Sequence, residues 1–161
     1  MTNGSPFDYQ QIFHTGIRVP NLDEAMAEIG DPMAVTWASP VTNPAQAIWT
    51  PEAGEHTLEL RFTYSCEGPQ HIELLEGPEG SVWSGHAVPG LHHQGVWASD
   101  VAEQVHRLET LGWRCVAAGQ APENGYGGFA YLQPPSGLII ELVTDAVQPR
   151  FEQWWGGGSL G

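Results

Sequence analysis

Four side chains at repeated positions in the chain could together bind a metal ion. His14 and His93 lie in two similar segments, FHTGIRV and HHQGVWA, which are offset by 79 residues. Glu73 and Glu141 lie in a second pair of similar segments, IELL and IELV, which are offset by 68 residues. Imidazole nitrogens and carboxylate oxygens together suit a borderline divalent metal such as zinc, nickel, cobalt, manganese or ferrous iron.

The alternation of side chains along a strand predicts the face on which the two glutamates lie. Glu73 and Glu141 are each flanked by apolar residues that suit a helix-covered face, which leaves the carboxylates on the opposite face. An unpartnered carboxylate in such an apolar run is unfavourable, and the chain offers five arginines and no lysine as partners. Each of the four residues, taken singly, could be an ordinary core or surface residue. Their recurrence in both halves favours a shared cation.

The elements around these residues repeat as well. Each half opens with an alternating strand and continues with a helix, for which Asn21 and either Ser99 or Asp100 are the expected N-caps. Further strands are predicted at 35–37, 47–49, 58–64, 71–75, 113–117, 129–132 and 138–143. The fold class is therefore α+β with two tandem βαβββ modules, at 12–75 and 92–145. A Gly/Pro-rich linker at 76–91 and an aromatic tail at 146–161 complete a single domain over 1–161.

Composition excludes several classes of partner. The formal net charge of −14 argues against nucleic acid and against anionic membrane surfaces as partners.

The two cysteines, Cys66 and Cys115, lack the spacing of a zinc or redox motif. The N-terminal segment has no basic and apolar leader pattern, and no apolar run reaches the length of about 20 residues that a membrane span needs. These features predict a cytoplasmic protein.

With these motifs in place, residues 12–145 resemble the vicinal oxygen chelate superfamily, which contains glyoxalases, bleomycin-resistance proteins and extradiol dioxygenases. The resemblance is carried by FHTGIRVPNLDEAM, HIELLEG, GLHHQGVWASDV and PSGLIIELV. It implies a cupped mixed sheet around one metal ion, with ligands from the first and last strands of each module. The implied ligands are His14, Glu73, His93 and Glu141. The short LIIELV ending and the size are most similar to the glyoxalase and methylmalonyl-CoA epimerase branch.

The resemblance also implies an activity. It suggests a metal-dependent isomerase, epimerase or lyase that acts through an enolate on a small carbonyl substrate, with Glu73 or Glu141 as the base. One alternative is an extradiol-type dioxygenase, although a carboxylate at Glu73 would crowd the open positions on iron. A second alternative is a metal-free binding or resistance protein, against which a complete ligand set argues.

Strand alternation places three further side chains on the predicted ligand face, namely Arg18, Trp97 and His71. Arg18 could bind a carboxylate or phosphate of the substrate, or pair with one of the many acidic residues. His92 precedes a predicted ligand and should face the other way, as a structural residue.

A homodimer is also predicted. The reason is apolar surface left by the short first helix and by Trp154 and Trp155 in the tail. The tail could instead fold back on its own domain.

Overall fold

The computed structural model describes residues 8–161; residues 1–7, which belong to the segment inspected for a leader, lie outside the described residues. The fold is mixed α+β and repeats the order βαβββ, as predicted. The first run consists of β1 (Ile12–Arg18), α1 (Leu22–Gly30), β2 (Val41–Thr50), β3 (Gly54–Tyr64) and β4 (His71–Glu76). The second run consists of β5 (Gly90–Ala98), α2 (Val101–Thr110), β6 (Arg114–Ala118), β7 (Phe129–Gln133) and β8 (Ile140–Thr144). A third helix, α3, spans Gln148–Trp155.

The helices α1 and α2 begin at side-chain caps. The Asn21 side chain accepts a hydrogen bond from the backbone N–H of Glu24 at 2.9 Å, and Asp100 accepts one from Glu103 at 2.9 Å. Each cap satisfies an amide that the first helical turn leaves without a partner. Within residues 8–161, no helix combines the length and the apolar character that a membrane crossing requires.

The two runs share one strand order. Hydrogen-bonded neighbours follow β1-β4-β3-β2 in the first run and β5-β8-β7-β6 in the second. The first and last strands of each run are therefore parallel neighbours, with Gly16 opposite Glu73 and Gly95 opposite Glu141. This pairing brings together residues that are distant in sequence. The predicted ligands of each run lie on these two paired strands.

The chain divides into two compact units, which we name by their histidines. The His93 unit contains the described residues through Phe13, together with Ala47–His56 and His93–Ala146. The His14 unit contains His14–Gln46, Thr57–His92 and Val147–Gly161.

Each unit has its own apolar core under a helix. In the His93 unit, Val101, Val105 and Leu108 of α2 belong to one buried cluster with residues of β5 and β8. The strand members of that cluster are Val96, Ala98, Ile140 and Leu142. In the His14 unit, Leu22 and Ala25 of α1 pack with Leu74 and the half-buried Ile72. The apolar neighbours of both glutamates thus face helices, as alternation predicted.

The predicted strand at 35–37 is wrong. Only Trp37 forms an isolated bridge, to Ser65, and its indole N–H donates to the carbonyl of Met26 in α1 at 2.9 Å. The segment is therefore a connection packed on the helix. The next strand, β2, spans Val41–Thr50 and is therefore longer than the strand predicted at 47–49.

The connection between β4 and β5 is closely packed. Trp83 is 2% exposed, and a Cβ on Gly85 would overlap with the backbone of Val19. Only glycine therefore allows the connection to approach β1 so closely.

The segment Val147–Gly161, which contains α3, is packed within the His14 unit. Trp154 of α3 is fully buried, and its indole N–H donates to the carbonyl of Ser39 at 3.0 Å. Trp154 therefore does not supply the apolar surface on which the homodimer prediction relied in part. The oligomeric state itself stays a prediction.

Candidate metal centre

The His14 unit contains a buried histidine–glutamate pair. His14 on β1 is fully buried and Glu73 on β4 is 6% exposed. The Nε2 atom of His14 lies 3.2 Å from the Oε2 atom of Glu73. The parallel register of β1 and β4 produces this contact, because Glu73 lies opposite Gly16, two residues after His14.

The His93 unit contains an equivalent pair. His93 on β5 is 3% exposed and Glu141 on β8 is 8% exposed. The Nε2 atom of His93 lies 3.1 Å from the Oε2 atom of Glu141. Here Glu141 lies opposite Gly95, again two residues after the histidine. The geometry of the first pair is thus repeated.

The chemistry of these side chains fits a divalent cation. Each buried pair, His14 with Glu73 and His93 with Glu141, offers donor atoms that are compatible with a metal site. Two ligands on one cation, with bonds of about 2.1 Å, lie about 3.0 Å apart at a right angle to about 3.4 Å apart at a tetrahedral angle. The nitrogen–oxygen distances of 3.2 and 3.1 Å lie within that range. The donor types suit zinc, nickel, cobalt, manganese or iron.

Two buried tyrosines, which the sequence analysis missed, accompany the pairs. Tyr64 on β3 lies opposite Glu73, and its ring centroid lies 5.2 Å from that of His14. Tyr131 on β7 lies opposite Glu141, and its ring centroid lies 4.8 Å from that of His93. Their offset of 67 residues is close to the offset of 68 between the glutamates, so the repeat contained a signal for them.

His71 lies beside His14 in the register of β1 and β4. Its Nδ1–H donates to the carbonyl of Ser65 at 2.6 Å, and its ring stacks on Trp155 at 3.7 Å. Burial lowers the pKa of this imidazole, and the hydrogen bond to Ser65 opposes the shift in part. His71 is thus held as a neutral, packed side chain, and its contact with a substrate stays a prediction.

The other predicted substrate contacts have structural partners. Arg18 donates through Nη1 to the carbonyl of Val82 at 3.2 Å, which ties β1 to the connection before β5. Trp97 stacks on Phe13 with ring centroids 3.8 Å apart. Their roles toward a substrate stay predictions. On β5, His92 is half-buried and shares strand parity with Val96, whose side chain belongs to the cluster with α2.

Comparison with solved structures shows the same fold at low sequence identity. A methylmalonyl-CoA epimerase from Mycobacterium tuberculosis is 22% identical, with a TM-score of 0.60, over 89% of this chain and 92% of that chain. A Streptomyces coelicolor methylmalonyl-CoA epimerase in complex with 2-nitronate-propionyl-CoA is 20% identical, with a TM-score of 0.57, over 83% and 92%. A hypothetical protein from Bacillus halodurans is 19% identical, with a TM-score of 0.58, over 83% and 92%.

Sequence comparison identifies the family. Curated protein sequences give no match to the chain. The family described as Glyoxalase/Bleomycin resistance protein/Dioxygenase superfamily matches residues 13–131, which is more than half of the chain. The match begins one residue before His14 and ends at Tyr131. The chain therefore belongs to the glyoxalase, bleomycin resistance protein and dioxygenase superfamily, as its motifs predicted.

Proposed function

We propose that this protein is a divalent-metal-dependent isomerase or epimerase that moves a proton on the carbon beside a carbonyl group. The observation that carries the proposal is the repeated buried His–Glu pair, with Nε2–Oε2 distances of 3.2 and 3.1 Å. Membership of the superfamily and the fold shared with methylmalonyl-CoA epimerases support it. A lyase that begins with the same proton transfer belongs to the same proposal.

The proposed ligands are His14, Glu73, His93 and Glu141. When bound, a divalent cation supplies a Lewis acid that draws charge from a carbonyl oxygen and makes the neighbouring C–H more acidic. The two imidazoles bind as neutral donors, and the two carboxylates offset the charge of the cation. All four side chains are buried, which restricts the access of water to them.

One of the two glutamates also serves as the proposed base. A carboxylate that accepts the proton must lie close to the reacting carbon, and general base catalysis of this kind contributes about 100-fold or more to the rate. Glu73 and Glu141 are equivalent in strand position, and either is a candidate. Substrate contacts are proposed for Arg18, Trp97 and His71, with the guanidinium of Arg18 binding a carboxylate or phosphate.

A small carbonyl compound is the proposed substrate. The names of the similar structures favour a coenzyme A thioester that carries a 2-methyl group as the first compound to test. The panel of test compounds also includes 2-oxo thiohemiacetals and cyclic hydroxyketones, which can undergo the same kind of proton transfer.

Metal analysis is the first experiment. We expect about one divalent ion per chain in protein purified without a histidine tag. His93→Ala and Glu141→Ala should lose most of it, whereas His92→Ala should retain it. Equal retention in all three variants would contradict the ligand assignment. A wild-type protein without metal affinity would favour a metal-free binding protein.

Solvent exchange tests the reaction. The metal-loaded protein should transfer deuterium from heavy water to carbon in at least one compound of the panel, without consuming dioxygen. Glu73→Gln and Glu141→Gln retain an oxygen donor but lose the basic carboxylate, so the variant at the base should lose kcat more than metal binding. Glu59→Gln, at an exposed residue of β3, is the matched control. Dioxygen uptake with a catechol in the iron-loaded protein would instead indicate a dioxygenase.

A homodimer remains part of the proposal. Met33, Val88 and Leu91 are large apolar side chains that are 63%, 61% and 77% exposed. Association with a second copy would cover such side chains. Light scattering at micromolar concentration should give twice the mass of the chain, and a monomer would refute the dimer.

A further inference from the structure

Each unit has a tyrosine at an equivalent place beside its histidine and glutamate. Tyr64 is the register partner of Glu73 on the neighbouring antiparallel strand, and Tyr131 is the register partner of Glu141. Directly opposed residues lie on the same face of a sheet. Both tyrosines are buried, at 3% and 1% exposure.

The rings of these tyrosines pack against the imidazoles. Tyr64 meets His14 edge to face, at 5.2 Å and an interplanar angle of 73°. Tyr131 meets His93 in a tilted arrangement, at 4.8 Å and 53°. A rigid ring at this distance restricts the rotation of the imidazole about its side-chain bonds, because other rotamers would overlap with it.

Other aromatic residues hold the tyrosines in turn. In the His14 unit, Phe151, Trp154 and Trp155 of α3 all lie within 5.5–5.8 Å of the Tyr64 ring. In the His93 unit, Phe129 lies 5.7 Å from the ring of Tyr131. Neither tyrosine can tilt away without displacing these neighbours. The constraint on each imidazole is therefore built into the packed interior.

We propose that Tyr64 and Tyr131 are positioning residues that fix the imidazole planes of His14 and His93 for metal binding. This inference rests on the proposed function, because it assigns the two histidines as ligands. The role is assigned to the aromatic ring, which makes the observed contacts with each imidazole. A preset imidazole orientation reduces the rotational freedom that is lost when a ligand binds a cation.

The test uses the full chain and Co²⁺ as the probe. Tyr64→Met and Tyr131→Met fill much of the ring volume with a flexible chain, whereas Tyr64→Phe and Tyr131→Phe keep the planar ring. The matched control is Tyr126→Met. Tyr126 is also 3% exposed and also meets a histidine, His106, edge to face at 5.7 Å. We measure the Co²⁺ dissociation constant, the visible Co²⁺ absorption bands and the thermal midpoint of each variant.

The two methionine variants should bind Co²⁺ about 10-fold or more weakly, the cost typical of removing groups that orient metal ligands. Their absorption bands should also change in position or intensity. The phenylalanine variants and Tyr126→Met should keep the affinity and spectrum of the wild type, even where the thermal midpoint decreases. A change in midpoint alone therefore does not mimic the expected result.

Three outcomes would overturn the inference. The first is wild-type affinity and spectrum in folded Tyr64→Met and Tyr131→Met. The second is a loss of affinity in the phenylalanine variants, which would assign the role to the hydroxyl and which remains measurable if a methionine variant does not fold. The third is a wild-type protein that binds no Co²⁺, nor any other divalent ion, which would overturn the proposed function as well.

Discussion

Glu73 lies directly opposite Gly16 in the parallel register of β1 and β4. Glu141 lies opposite Gly95 in the same manner on β5 and β8. A glycine has no side chain, so the position opposite each carboxylate on the opening strand is unfilled by a Cβ. The motif His-x-Gly on the opening strand is therefore part of each pair, and not only the histidine.

Filling this space should weaken metal binding. Gly16→Val and Gly95→Val each place a branched side chain opposite a glutamate, so we expect each to reduce bound metal by about 10-fold or more at limiting metal concentration. Inductively coupled plasma mass spectrometry of the purified proteins measures the metal content. Thr15→Val, at the neighbouring position of alternate strand parity, is the control and should retain the metal. Full metal content in both valine variants would show that the glycines are not needed.

Trp154 should be a major contributor to stability. It is fully buried, and it packs on Phe62 and Tyr64 with ring centroids 5.8 and 5.6 Å apart. Trp154→Ala should lower the free energy of unfolding by about 3–5 kcal/mol, as for other buried aromatic residues. Urea denaturation followed by circular dichroism measures the change. Leu111→Ala, at a 68% exposed residue, should change it by less than about 0.5 kcal/mol. Similar losses in both variants would contradict the assigned packing of α3.

The two cysteines should differ in reactivity toward alkylating reagents. Burial raises the pKa of the Cys115 thiol to about 12, so only about one thiol in 10,000 is ionised at pH 8. Burial raises the pKa of Cys66 as well, but Cys66 is only half-buried. Iodoacetamide at pH 8 should therefore modify Cys66 slowly and leave Cys115 unmodified until the protein unfolds. Peptide mass spectrometry locates the label, and early labelling of Cys115 would contradict its placement.

A carboxylate near the start of β4 should contribute to the pH dependence of stability. Both oxygens of Glu67 accept from the backbone N–H of Thr36, at 3.0 and 2.9 Å, and this hydrogen bonding lowers the pKa of Glu67 below its usual 4.5. Because the pKa is lower in the folded protein, the ionised Glu67 carboxylate stabilises the fold above pH 4.5. This stabilisation is lost as the pH falls through the pKa of the folded state. The thermal midpoint of Glu67→Gln should thus be lower than that of the wild type at pH 6, and the difference should shrink as the pH is lowered below 4.5. A difference that is constant with pH would refute this origin.

Local chemistry and the internal repeat made much of the fold and the paired residues predictable. Asn21 and Asp100 act as helix caps through contacts within three residues, so the sequence alone contains their signal. The equivalence of His14 with His93 follows from the repeat, and strand alternation correctly predicted that the apolar neighbours of Glu141 face α2.

Other features depend on contacts between distant segments. Tyr64 and Tyr131 lie opposite the glutamates because of the register between strands, which alternation along one strand does not determine. The helix α3 has no side-chain cap and is only eight residues long, so its aromatic packing on the His14 unit is what stabilises it. Packing of that kind leaves no periodic signal in the sequence.

The indole of Trp155, which stacks on His71, can report on metal binding through its fluorescence. His71 is the register partner of His14, so an indole belongs to the same packed aromatic group as a proposed ligand. A paramagnetic ion such as Co²⁺ at His14 would quench the emission of this indole. The chain holds seven tryptophans, so the difference between the emission of the wild type and that of Trp155→Phe isolates the one that reports on His14. Metal binding at His14 can in this way be followed by fluorescence without an attached dye.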